Sequence, residues 1–332
     1  MLGLDLLAII LAVTGLAVFE ITTSIDNAVI NADVLRTMSK KARHWFLVWG
    51  LFIAVFLVRG LLPLLIVYST NPQLGILGAL TATFSNDPAV ITAIELSKPL
   101  LLLGGGVFLL FLFLHWLFLE PKSFGLKSEK KFFENGLWFY TVAAVLLAAI
   151  VWFAIQKQPL MAFSAVVGST AYFIMHGFKQ NAAEKEKELL EGNTHLSDFS
   201  KILYLEVIDA SFSIDGVLGA FAFTLSVPLI LIGNGIGAVA VREMTIRHIE
   251  TVKKYKYLKN GAMYSVLVLG IIMTTDAFGA HIPEWLSPIS TFIIIGYFFY
   301  KSKRELDAAA ATTKNKIKNP TCKKTHSKVE PL

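Results

Sequence analysis

The chain has 332 residues, 55% of them hydrophobic and only 16% charged, with a mean hydropathy of +0.62. A soluble globular chain carries about 25% charge and 45–50% apolar residues, and the apolar residues here recur in blocks of about 20, each long enough to cross a bilayer of roughly 30 Å. The net charge of +6 sits in residues 301–332, where nine Lys/Arg face Glu305, Asp307 and Glu330, while the remainder balances at 21 against 21. These numbers exclude a soluble enzyme and a nucleic-acid-binding surface. They predict an all-α polytopic membrane bundle with a basic tail lying near anionic lipid.

Cys322 is the one cysteine and lies in the tail, which excludes an intrachain disulfide, a Cys-based metal site and a buried Cys nucleophile. The opening MLGLDLLAIILAV has no basic region before its apolar run. It reads as a first transmembrane helix rather than a cleaved signal or a transit peptide.

Nine hydrophobic spans follow in chain order, at 6–33, 45–69, 99–119, 136–155, 159–178, 202–225, 228–245, 261–280 and 284–300. Lipid offers exposed backbone no hydrogen-bond partner, so each should be helical. Between the second and third, Asn86-Asp87-Pro88 begins a segment that ends before Pro99. Asp87 as N-cap with Pro88 behind it predicts a short separate helix at the outer face. Residues 181–198 read as a solvated helical linker. The resulting division is a first membrane half at 1–180, a cytoplasmic linker at 181–200, a second half at 201–300 and a disordered tail at 301–332.

Alternate connections hold 26 Lys/Arg against Lys98 and Lys157 alone on the other side. The positive-inside rule then puts the N-terminus outside and the C-terminus in the cytoplasm, as nine spans require.

Residues 19–31, FEITTSIDNAVIN, align with residues 208–220, IDASFSIDGVLGA. Ser-Ile-Asp coincides, and an acid six residues upstream coincides as Glu20 and Asp209. Gly50 with Arg59 matches Gly233 with Arg242 at the same spacing. The first copy runs from outside to inside and the second from inside to outside, so the repeat is inverted, as in many secondary transporters.

Glu20, Asp26, Glu206, Asp209, Asp215 and Asp276 all fall within apolar spans. Six such acids cost on the order of 10 kcal/mol unless something offsets them. Arg59 and Arg242 are too few to neutralise them. Clustered carboxylates suit Mg²⁺, Ca²⁺ or Mn²⁺. On a straight helix Glu20, Ser24, Asn27 and Asn31 share one face and Asp26 lies about 120° away. Either the helix opens near Thr22-Thr23-Ser24, or the acids serve two adjacent steps. His115 and His176 read as interfacial residues. Gly104-Gly105-Gly106 and the Gly233, Gly235, Gly237 face read as close helix packing, and Asn234 as a further carbonyl donor. No hydrolase or ATP-binding pattern occurs, so no enzymatic activity is expected.

Glu20-x5-Asp26-Asn27 within EITTSIDNAVINA, followed by Asp209 to Asp215 within DASFSIDGVLGAFAF, resembles the paired acidic motifs of the TerC family of integral membrane proteins. The likeness spans about residues 10–300 and is that of a divergent branch. It implies divalent-metal transport, chiefly manganese efflux from a bacterial inner membrane, with the paired motifs as the metal path. Mn²⁺ is then the transported substrate, with no cofactor beside it. The implied metal residues are Asp26 and Asp215 at the centre, with Glu20, Asn27, Asp209 and Glu206 completing or flanking them. Gly216 stands where the first copy has Asn27, so a second-copy ligand there would come from elsewhere, with Glu206 a candidate. Proton exchange is a natural coupling. The implied partners are the lipid bilayer and a divalent cation, and a homo-oligomer is allowed. Two rival readings stand beside this: a non-transporting partner in metal delivery or envelope and tellurite stress, and an exporter of small organic cations.

Overall fold

The computed structural model describes residues 2–50, 72–81, 88–121, 126–190 and 197–318, with residues 53, 61, 64–65 and 68–69 between them. Every regular element among these is helical. In chain order they are α1 (Leu2–Thr23), α2 (Ile25–Arg36), α3 (Lys40–Trp45), α4 (Gly75–Thr81), α5 (Pro88–Leu119) and α6 (Lys127–Glu134). There follow α7 (Trp138–Lys157), α8 (Pro159–Leu190), α9 (Asp198–Ala220), α10 (Val227–Arg247), α11 (Ile249–Val252), α12 (Leu258–Ala277) and α13 (Leu286–Lys318).

Six stretches are long and apolar enough to cross a membrane: Leu6–Thr23, Leu96–Leu119, Trp138–Lys157, Pro159–Asn181, Val227–Arg247 and Leu258–Ala277. Of the nine spans expected, the one at 45–69 lies mostly outside the described residues. The stretch 202–225 lies largely in α9, which carries Glu206, Asp209 and Asp215 and so is too polar to qualify by itself. The apolar part of α13, from Leu286 to Tyr300, is too short. The chain is a multi-pass membrane protein, its helices built for a lipid bilayer.

At the centre stands α5, whose candidate span is 67% buried by its neighbours. Leu103, Val107, Phe108, Leu109 and Phe111 are all buried along it, as expected of a helix that is apolar all round. Its three glycines allow the close approach. A Cβ on Gly104 would stand 2.8 Å from Ser164 Oγ of α8, and one on Gly105 2.6 Å from Met273 Cε of α12. One on Gly106 would stand 3.0 Å from the Thr274 backbone nitrogen.

The separate short helix before Pro99 is a correction. Pro88 opens α5 and Pro99 lies inside it. A proline removes one backbone donor and crowds the preceding turn, but neighbouring helices in a membrane can satisfy what it frees. The Ser164 hydroxyl donates to the Leu100 carbonyl just beyond it. The expected N-cap, Asp87, lies outside the described residues.

The tail needs correction too. Helix α13 runs on through Lys318, where disorder was expected from residue 301. Residues 308–311 are four alanines, the strongest helix formers. Its first turn beyond Tyr300 is also tied down. Ser302 Oγ accepts from the Tyr257 backbone N–H at 2.9 Å, and Tyr257 Oη donates to Glu305 at 2.6 Å. Residues 319–332 lie outside the described residues. The linker is helical to Leu190 as an extension of α8.

Candidate functional site at the crossing of α1, α2 and α9

The first acidic motif straddles a joint. Thr22 and Thr23 turn their hydroxyls back onto the Val18 and Phe19 carbonyls, each at 2.9 Å, a pattern that bends helices. Ser24, at φ −87° and ψ 4°, separates α1 from α2. Its hydroxyl donates to Glu20 Oε1 at 2.7 Å. The helix therefore breaks at Thr22-Thr23-Ser24, where the sequence reading allowed an opening.

Glu20 is 1% exposed, held in a notch cut by two glycines. A Cβ on Gly237 of α10 would stand 2.6 Å from the Glu20 Cβ, and one on Gly216 of α9 2.6 Å from Glu20 Oε2. That is the physical reason for Gly216. Any side chain there would displace the carboxylate of the first copy.

The helices carrying the two motifs run antiparallel. Gly15 faces Phe223, Gly219 faces Phe19 and Gly216 faces Glu20. Two turns further along, Asn27 Nδ2 donates to Asp209 Oδ1. The repeat alignment equates Glu20 with Asp209 and Asn27 with Gly216. The contact of Asn27 with Asp209 and the contact of Gly216 with Glu20 are therefore the same contact seen from the two copies. An inverted repeat folded about a local two-fold requires this pairing.

Between α2, α9 and α10 lies a cavity of about 50 Å³, lined by Ser24, Asn31, Gly50, Asp209, Arg242 and Thr245 among others. Three side-chain oxygens in or beside it are buried and meet no hydrogen-bond donor among the described residues: Asn27 Oδ1, Asn31 Oδ1 and Glu206 Oε1. Glu206 reaches the cavity wall at Gly50, where a Cβ would overlap its carboxylate.

Asp215 belongs elsewhere. It is 8% exposed, and Lys179 Nζ of α8 donates to its Oδ2. Its Oδ1 is buried without a donor among the described residues. Both residues line an open cleft of about 560 Å³. His115 and His176 pack against each other in its wall, with ring centroids 4.1 Å apart. Both are half-buried. At the cleft mouth Lys259 donates to Glu120.

Five of the six residues implied as metal ligands therefore fall into two neighbourhoods. Glu20, Asn27, Asp209 and Glu206 gather at the crossing, while Asp215 lines the cleft. Asp26 lies in α2, its side chain outside the described part, as is the whole of Arg59. Among the described residues no three His, Cys, Asp or Glu side chains form a ready metal cluster. Asp276 is tied at the other end of the bundle, 3.2 Å from Lys98 and accepting from the Ile282 N–H at 3.1 Å. Asn234 is fully buried, with neither amide atom hydrogen-bonded among the described residues, and lines neither cavity. Sequence reasoning missed Lys179, because it ends an apolar span and counts there as one more cytoplasmic charge.

A family model matches residues 25–307, and its description is a protein of unknown function, DUF475. The chain belongs to this family. The match takes in both Ser-Ile-Asp aspartates, Asn27 and the whole of α9, while Glu20 lies just before it. A relative in Bacillus subtilis (strain 168), named as the uncharacterized membrane protein YceF, is 23% identical over 152 residues. That alignment covers 43% of this chain and 59% of the relative's length. No solved structure matches the chain.

Proposed function

We propose that this DUF475 protein exports a divalent cation, Mn²⁺ foremost, across a bacterial inner membrane in exchange for protons. The observation that carries the reading is the set of buried oxygens without donors beside Asp209, at a cavity of about 50 Å³. A buried polar atom left unpaired costs about 1–3 kcal/mol, and a protein seldom keeps several together without a ligand for them. Carboxylate and amide oxygens in a small space are the donor set of a hard cation. The space takes about three or four water-sized bodies, enough for an ion with part of its hydration.

Asp209 and Asp215 lie six residues apart on α9, at the cavity and at the cleft, which supports two successive stations on one path. The cleft draws on the Glu120 and Lys259 ends of α5 and α12, the side that the Lys/Arg count assigns to the cytoplasm. An opening there favours loading from inside and so export. The resemblance of both motifs to the TerC family points the same way.

The cleft itself favours a second reading. At about 560 Å³ it is far larger than a metal ion, which suits a small organic cation. Excess lysine competing with transport, with Mn²⁺ failing to compete, would select that reading. A non-transporting partner would move neither in liposomes.

The test is cellular manganese by elemental analysis, in a bacterial strain lacking its own exporter and grown in excess Mn²⁺. Wild type should lower manganese, and the double variant Asp26→Ala, Asp215→Ala at equal membrane abundance should not. Equal manganese in both would refute manganese export.

A further inference from the structure

Lys179 is the one lysine that reaches an acid of the repeated motif within the described residues. It lies in the last turn of the candidate span of α8, at Pro159–Asn181. Its side chain is 20% exposed and that of Asp215 12%. The pair is therefore largely out of water yet lines a cleft with room for the lysine stem to move. Asp215 Oδ2 takes the ammonium, and Oδ1 remains buried without a donor among the described residues.

We propose that Lys179 is a tethered counter-cation that holds Asp215 between transport events and that the cargo ion must displace. The proposal rests on the cation-transport reading above. An ammonium and a divalent ion on one carboxylate repel each other strongly inside low-dielectric walls. The lysine therefore lowers the affinity of Asp215 for cargo. In return it keeps the acid neutralised when the ion has left, so an empty site does not leave a bare charge in the membrane. The flexible stem lets the ammonium withdraw towards the cleft mouth without moving α8. His115, His176 and Tyr172 face the same space and none is a carboxylate that would compete for the lysine, while the other carboxylate lining the cleft among the described residues, Glu120, is held by Lys259. The coupling is reciprocal: if Lys179 weakens the ion, the ion must loosen Lys179.

The experiment is Mn²⁺ titration of the purified full chain in detergent, comparing wild type, Lys179→Gln and Lys179→Arg. The expected result is binding by wild type, binding at least about fivefold tighter in Lys179→Gln, and a near-wild-type affinity in Lys179→Arg. A companion measurement needs no variant. Saturating Mn²⁺ should speed amine acylation of Lys179 by at least about fivefold relative to exposed Lys303, read by peptide mass spectrometry. Wild-type binding with unchanged or weaker affinity in Lys179→Gln, or with unchanged Lys179 acylation, overturns the displacement proposal and leaves cation transport standing. No Mn²⁺ binding by any of the three proteins overturns both.

Discussion

Glu20 shows how one residue type is forced by another. The carboxylate is enclosed by Gly216 on α9 and Gly237 on α10 and is fixed by the Ser24 hydroxyl. Gly237→Ala would drive a methyl group against the Glu20 Cβ and within 3.0 Å of the Ala17 carbonyl oxygen, a backbone atom that cannot move aside. The expected cost is about 1–3 kcal/mol, read as a lower melting temperature in detergent. Gly177→Ala in α8 is the matched control. Nothing lies within 4 Å of a Cβ there, so the change should be neutral or stabilise by about 0.5–1 kcal/mol. Equal melting temperatures for the two variants would contradict the packing account. The sequence alignment marked Gly216 as a departure from the first copy without giving its cause. The cause lies on α1, 196 positions away in the chain, and no local pattern at Gly216 carries it.

At the scale of elements, helices were legible wherever composition alone decides. Five of the spans drawn from the sequence coincide with five of the six helices that are apolar enough to cross, and the sixth is the first helix, which ends at Thr23 instead of running to 33. Lipid solvation explains that success, since a spanning segment has few alternatives to a helix. What composition hides is connection. The run of α5 through Pro99 depends on neighbours that satisfy the backbone, and the ordered start of the tail depends on Tyr257. Tyr257→Phe removes the hydroxyl bonded to Glu305. Tryptic cleavage at Lys301 and Lys303 should then quicken by about two- to tenfold, the value of one hydrogen bond; unchanged cleavage would show that the extension is helical by its own propensity.

The short helix α6 was likewise invisible as an anchored element, because a Lys-rich octamer reads as solvated. Its Glu129 is fully buried and accepts from Asn260 Nδ2 at 2.8 Å, Tyr264 Oη at 3.1 Å and the Leu126 N–H at 2.9 Å. Glu129→Ala strands these donors and should cost about 1–3 kcal/mol. Glu129→Gln keeps an acceptor and should cost less. A thermal-unfolding comparison in which Gln is as damaging as Ala would argue against the hydrogen-bonded dock.

For the whole molecule, the repeat is the feature from which the rest follows. Its polar residues were readable because membrane helices rarely carry them. Its folding about the crossing of α1, α2 and α9 was not readable, since antiparallel register depends on which residues meet across nearly two hundred positions. The consequence is two settings along α9, with Asp209 at a small cavity that Asn31 and Arg242 also line and Asp215 at a wide cleft, bonded to Lys179.

The most direct measurement is Mn²⁺ flux into liposomes holding the purified full chain, followed with a trapped metal-sensitive dye. Wild type should carry Mn²⁺ well above protein-free liposomes, and Asp209→Asn and Asp215→Asn should each cut the rate by at least about tenfold, equivalent to 1.4 kcal/mol on the barrier. Wild-type liposomes no faster than empty ones, or both variants within about twofold of wild type, would contradict transport through these acids.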